Sequence, residues 1–281
     1  MSYDGKARLW DVTTHNQIGS AFGDGLLPRV AFSPDGKTLA TVGGDGKARL
    51  WDVTTHTQSG ASLTTGPAST PDQLLQQVVA FSPDGRTLAT AGNDGTARLW
   101  DLATRTQIDA LPALGVTTVA FSPDGKTLAT GGIDGTARLW DLVAVTGLPV
   151  NIDVARPDRL NPQPVAFSPN GKTLATAGND GKARLWNLAT HTQRGASLAI
   201  GPPSNSPTRL PPTVAFSPDG KTLATVGYDG KARLWDVATQ TQSGPPFGDR
   251  VSGCTPTRRR GLPRIIAERV RARQRRGVTR S

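Results

Sequence analysis

Residues Val119–Asp141 read VAFSPDGKTLATGGIDGTARLWD, and the string returns with small edits from Val30, Val79, Val165 and Val214. Val119, Ala120 and Phe121 form a short apolar run that stops at Ser122-Pro123-Asp124-Gly125. Proline presets φ at the first corner of a turn and glycine accepts positive φ near its end, so the chain reverses tightly here between two strands. A second run, Thr127 to Thr130, meets Gly131, Gly132, Ile133, Asp134 and Gly135. An Asp-Gly step between β-prone runs is the strongest short-range hairpin signal. A third run, Thr136 to Asp141, alternates Ala137 and Leu139 with Arg138 and Trp140, the period of a strand with two distinct faces.

Each copy therefore predicts an antiparallel meander of three strands, and weaker apolar runs after the Trp, such as Thr106-Gln107-Ile108, supply a fourth. A lone meander of that size covers neither of its faces and is marginal in water. It needs neighbours. The six Trp, at 10, 51, 100, 140, 186 and 235, are spaced by 41, 49, 40, 46 and 49 residues. A period in the forties with four strands per unit is what radial stacking into a propeller requires. The expected fold is all-β: a β-propeller of four-stranded antiparallel blades, five complete and one partial, with closure of the ring left open.

At these residues the unit resembles the WD40 repeat of β-propeller proteins. The resemblance rests on the pairs Trp10-Asp11, Trp51-Asp52, Trp100-Asp101, Trp140-Asp141 and Trp235-Asp236, with Trp186-Asn187 as the variant, and it covers the chain up to residue 249. It implies that a hydrogen-bonded set of Asp, Ser or Thr, and Trp holds each blade. The hairpin Asp maps to Asp4, Asp45, Asp94, Asp134, Asp180 and Asp229, and the strand hydroxyl to Thr41, Thr90, Thr130, Thr176 and Thr225. The Gly-His dipeptide that usually precedes the first strand is missing from every copy, so Asp, Thr, Trp and apolar packing are expected to hold the blade without a His. Similar arrays in bacteria are often the sensor half of longer chains that carry a kinase, protease-like or nucleotide-binding module, and no such module is encoded here.

The formal net charge of +10 must be located before it means anything. Residues 250–281 hold 11 of the 32 basic residues, all Arg, and one of the 22 acids, Glu268, which leaves 21 of each sign in the repeat body. Any argument from basicity to nucleic acid concerns the tail alone. The single Cys254 excludes an internal disulfide framework and a Cys-based zinc site. No apolar run approaches the roughly 20 residues that span a bilayer, and the start, MSYDG, does not read as a signal peptide. The expected setting is soluble, reducing and cytoplasmic.

Residues 1–10, MSYDGKARLW, match the copy that ends at Trp235 from its Tyr228 onward, so the first unit is expected to lack its first two strands. Between copies, residues 61–77, 143–164 and 196–213 are rich in Pro, Ser and Thr, whereas the connection after Ala110 is brief. Proline lacks the N–H for a ladder, so the long connections are expected as surface loops that emerge beside the Asp-Gly hairpins and concentrate diversity on one rim. Phe247-Gly248-Asp249 opens like Phe22-Gly23-Asp24, but an Arg-rich tail follows instead of a further copy. One nucleotide string can encode Arg258 to Arg264 in one frame and a Val-Ala-Phe-Pro-Gly-like segment in the next. An out-of-frame remnant of a repeat is the reading adopted, and the coding DNA tests it.

Asp residues of the hairpins could line a metal or catalytic ring. Identical repeats supply identical environments, however, whereas a catalytic pair needs different ones; turn geometry and bonds to backbone and to the Thr-Trp set are the reading adopted. His15, His56 and His191 stand five residues after a Trp, where Arg105 and Gln240 stand in other copies, so they read as turn-surface residues rather than ligands. Cys254 has no His at a spacing that makes it a nucleophile. Arg8, Arg49, Arg98, Arg138, Arg184 and Arg233 share one strand phase and read as a solvated face with local salt bridges. Pro263 to Arg276 could form a basic helix that binds phosphate, but Ile265, Ile266 and Val270 are too few for an apolar face, and the composition predicts disorder.

No catalytic, cofactor or metal site is predicted. The expectation is a non-enzymatic scaffold or sensor module binding a protein or peptide on the variable-loop rim, with no membrane span. The alternatives are a nucleic-acid or anionic-surface binder acting through residues 250–281, and a truncated gene product without independent function. Open blade edges at residues 4–10 and in the last blade are expected to invite self-association.

Overall fold

The computed structural model describes residues 6–22, 29–68, 77–92, 94–112, 115–143, 149–153, 164–203 and 212–248. Asp4, Cys254, the Arg-rich tail and the middles of the long connections lie outside them. All regular elements are strands, and among the described residues no helix is long and apolar enough to cross a membrane.

Each Ser-Pro-Asp-Gly copy closes the same turn. In the copy at Ser122, the Ser122 hydroxyl donates to Asp124 Oδ1 at 2.6 Å and accepts from the Thr127 amide at 2.9 Å, while the Gly125 amide donates to the Ser122 carbonyl. Gly125 sits at φ 71°, which only glycine adopts freely. The Asp-Gly hairpin follows, with Gly135 at φ 77° and the Thr136 amide bonded to Asp134 Oδ1 at 3.1 Å.

These turns set one register throughout. A two-stranded sheet of β1 (Ala7–Trp10) and β2 (Gln17–Phe22) comes first. Four-stranded antiparallel sheets follow: β3 (Arg29–Phe32), β4 (Thr38–Gly43), β5 (Lys47–Asp52) and β6 (Leu63–Thr64); β7 (Val78–Phe81), β8 (Thr87–Ala91), β9 (Ala97–Asp101) and β10 (Thr106–Leu111); then β11 (Val116–Phe121), β12 (Thr127–Gly132), β13 (Thr136–Asp141) and β14 (Val150–Asp153). In the fifth sheet β15 (Val165–Phe167), β16 (Thr173–Ala177) and β17 (Lys182–Asn187) carry an outer strand broken into β18 (Thr192–Gln193) and β19 (Leu198–Ala199). The last has β20 (Thr213–Phe216), β21 (Thr222–Val226) and β22 (Ala232–Asp236). In every complete meander a Leu stands opposite the Trp, as Leu128 does opposite Trp140.

The outer strand varies from sheet to sheet, and only in the last sheet does it fall short of the expected complete four-stranded blade. In the last sheet it shrinks to isolated bridges at Gln242 and Phe247, with Gly244, Pro245 and Pro246 between them. Gly60 and Gly195, at φ 67° and 66°, interrupt it in the first four-stranded sheet and in the fifth. A second departure concerns the long connections, whose beginnings are not surface loops. Leu63, Thr65, Leu198 and Ile200 are buried, since residues 61–67 (ASLTTGP) and 196–202 (ASLAIGP) serve as the outer strand and its exit.

Period-two alternation supplies the seams between sheets. Ala48 and Leu50 face Leu88 and Trp100 of the following sheet; Ala97 and Leu99 face Leu128 and Trp140; Ala137 and Leu139 face Leu174 and Trp186; Ala183 and Leu185 face Leu223 and Trp235. Each buried Leu contributes roughly 1.5–3 kcal/mol by leaving water. The first strands β3, β7, β11, β15 and β20 contact one another in that order, and among the described residues no comparable contact joins the last sheet back to β1 or β3. The result is an all-β array of propeller blades that does not close.

Candidate functional site

Five of the predicted Trp meet their predicted Thr. The indole Nε1 donates to Oγ1 at 2.9–3.0 Å in the pairs Trp51–Thr41, Trp100–Thr90, Trp140–Thr130, Trp186–Thr176 and Trp235–Thr225. All five Thr are buried. Trp10 lies in the two-stranded sheet and is largely exposed.

The hairpin Asp do not join this pair, contrary to the expectation. Each reaches the Arg four residues on, along its own strand: Asp45–Arg49 at 2.6 Å, Asp94–Arg98 at 2.5 Å, Asp134–Arg138 at 2.5 Å, Asp180–Arg184 at 2.5 Å and Asp229–Arg233 at 2.6 Å. Their other oxygen accepts a turn amide, as Asp45 Oδ1 does from Lys47. The reason is geometric: the hairpin carboxylate lies beside the guanidinium on its own strand, and Thr saturates the indole donor. The Arg hydrogen bond leads the effects that hold the Asp94 and Asp229 carboxyls below the usual carboxylate range, against the opposing pull of burial.

The Arg face is likewise not solvated. The five side chains keep only 10–17% of their surface exposed, and two of them reach the preceding sheet. Arg98 Nη1 donates to the Thr65 carbonyl of the preceding sheet at 2.6 Å, and Arg233 Nη1 donates to the Ile200 carbonyl in the same way. A Cβ on Gly92 or Gly227 would strike those same two carbonyls, so glycine lets the outer strand close over the hairpin. The repeated ASL-x-x-GP string was the signal in the sequence that could have revealed this contact.

The residues five positions after the Trp occupy the left-handed region, at φ 60° for His15, 59° for His56, 58° for Arg105, 56° for His191 and 58° for Gln240. Three also bridge sheets. His56 stacks on Phe22 at 4.9 Å between centroids, Arg105 Nη2 donates to Ser59 Oγ at 3.0 Å, and Gln240 Nε2 donates to the Arg194 carbonyl at 2.6 Å. His56 is thus a seam residue as well as a turn residue. The preceding Asp organises the turn: Asp52 Oδ1 accepts from the Thr54 and Thr55 amides, and the Thr55 amide bond leads in drawing the carboxyl below its usual range.

At the hairpin end, Gly46 approaches Gly66 and Pro67, and Gly181 approaches Gly201 and Pro202. The long connections therefore leave the sheets beside the Asp-Gly hairpins. At the opposite end a cleft of about 770 Å³ opens between adjacent sheets, lined by Leu99, Leu111, Phe121 and Trp140 with Asp84 and Asp124 at its mouth. Among the described residues no three of His, Cys, Asp and Glu converge on one point.

Blades stacked in chain order, each fastened by one indole-hydroxyl bond and one Asp–Arg pair, define an all-β repeat protein of the propeller class. The model of the WD40 family, described as WD domain, G-beta repeat, matches residues 25–52, 77–101, 110–141, 165–187 and 212–236, and the chain belongs to that family. Comparison with curated proteins found none that matches it.

Proposed function

We propose that the array is a non-enzymatic scaffold that binds a protein or peptide on the rim where its long connections emerge. WD40 repeats generally mediate protein–protein interaction, and proteins built from them are typically not enzymes. The observation that carries the reading is that the most divergent segments leave the sheets at one end, beside hairpins whose own Asp and Arg are committed to each other. Conserving the blade while varying the rim is how a repeat scaffold acquires a partner. We place this scaffold in a reducing, cytoplasmic setting on its single cysteine.

Replacing residues 68–76 and 203–211 by Gly-Ser segments of equal length tests the reading. Thermal unfolding should stay unchanged, while cross-links formed in cell extract by a photoreactive residue at position 207 of the unreplaced chain should fall to background when the other long connection is replaced. Persistence of those cross-links would remove the rim from the account. The Arg-rich segment supports a second reading, binding to nucleic acid, since clustered Arg releases counterions on contact with phosphate. Deleting residues 250–281 separates the two: a rim binder keeps its partner, whereas a tail-driven binder loses a salt-sensitive affinity.

A further inference from the structure

We propose that this chain associates head to tail with a second copy of itself, Phe247 of one copy entering between Trp10 and His15 of the next. The interface is one the molecule already builds internally. Where the two-stranded sheet meets the first four-stranded one, Phe22 is 1% exposed. Its ring meets Trp51 edge-on at 5.8 Å and stacks on His56 at 4.9 Å with an interplanar angle of 17°. Gly19, at φ 61°, lies under the His56 ring, where any Cβ would collide with it. The inserting half is therefore a Gly and a Phe three residues apart, and the receiving half is a Trp and a His five residues apart.

Both halves recur at the two ends of the array, and neither is covered. Trp10 and His15 repeat the spacing of Trp51 and His56, and His15 holds the same left-handed turn, φ 60° against 59°. Gly244 and Phe247 repeat the spacing of Gly19 and Phe22, and Gly248-Asp249 follows as Gly23-Asp24 does. Phe247 is fixed in place by two backbone bonds to Ala232, at 2.8 and 2.9 Å, and the space above Gly244 is open. Trp10 is 57% exposed and Phe247 46%.

A neighbouring position tells the same story. Val226 is 37% exposed, whereas its counterpart Val42 in the first four-stranded sheet is 1% exposed beneath the following blade. Val30 and Phe32, at 48% and 50% exposed, instead face the chain's own two-stranded sheet, which has only β1 and β2 to set against them, whereas the corresponding Val79 and Phe81 pack into a seam. The uncovered surfaces are thus sheet faces, not only the open strand edges. One end offers the giving face and the other the receiving face, so the contact is heterologous and extends into open oligomers unless its rotation closes.

The experiment uses the full chain and two variants, Trp10→Asp and Phe247→Asp, each at an exposed side chain, with circular dichroism to verify that both fold. Sedimentation velocity should show the unmodified chain growing from monomer to dimer and longer species as concentration rises. Each variant alone should stay monomeric, because each lacks one half of the contact. Mixed in equal amounts they should form a dimer and nothing longer, since Phe247→Asp retains Trp10 and Trp10→Asp retains Phe247. His15→Ala, a milder change, should weaken association roughly 2- to 10-fold, the range of a lost aromatic pair. An unmodified chain that stays monomeric at all concentrations overturns the proposal. So does self-association of either variant, failure of the folded variants to pair, or an unchanged affinity in His15→Ala.

Discussion

Thr130 and Trp140 show what a single bond does inside a blade. The indole N–H is a donor only, and here it sits with its Thr acceptor out of reach of water. Thr130→Val keeps the volume and the β-branch while deleting the acceptor, so the donor stays buried and unpaired. The expected cost is about 1–3 kcal/mol, the desolvation penalty of an orphaned donor, read as a lower urea midpoint with unchanged slope. A cost near zero would mean that the bond merely accompanies the packing. This pair was expected from the resemblance to the WD40 repeat, onto whose strand hydroxyl and Trp Thr130 and Trp140 map. The role of the Arg was not. Alternation assigns Arg138 to one face of its strand but says nothing of how far that face is covered, and in the structure the side chain keeps only 15% of its surface exposed beside Asp134.

At the scale of the element, the turn after each Trp carries two loads that sequence spacing alone merges. One is local: the fifth residue must adopt positive φ, which costs a non-glycine residue roughly 1–2 kcal/mol. The other is a contact with the preceding sheet. His191 is exposed at φ 56°, whereas His56 at φ 59° stacks on Phe22. Glycine relieves the same backbone strain at both positions, so the difference between the two substitutions isolates the contact. His56→Gly should be the more destabilising by about 1 kcal/mol, the size of an aromatic pair, when thermal unfolding of the two variants is compared. Equal effects would assign His56 to the turn alone. The outer strands were poorly legible for a related reason: a few weakly apolar residues become a strand only when a neighbouring hairpin donates to their carbonyls, as Arg98 does to that of Thr65.

For the whole molecule, stability follows from the order of the seams. Among the described residues the main contacts of each sheet are with its neighbours in chain order, the arrangement in which stability is a sum of unit terms and nearest-neighbour interfaces. An interior sheet such as β11–β14 has both faces covered, and Ala129, Leu128, Ala137 and Trp140 are buried. The end sheets have one neighbour each, which leaves Trp10 and Ile18 exposed on one side and Val226 and Phe247 on the other. Local opening should therefore cost least at the two ends. Amide hydrogen exchange on dilute protein should protect Leu128–Thr130 and Arg138–Trp140 longest, with β1, β2 and the bridges at Gln242 and Phe247 exchanging first. Raising the concentration should slow exchange at both ends together, because a head-to-tail contact covers one end of each partner, while the interior sheets stay as they were. Uniform protection from β1 to β22 would instead mean a single cooperative unit, and seam-by-seam additivity would have to be abandoned.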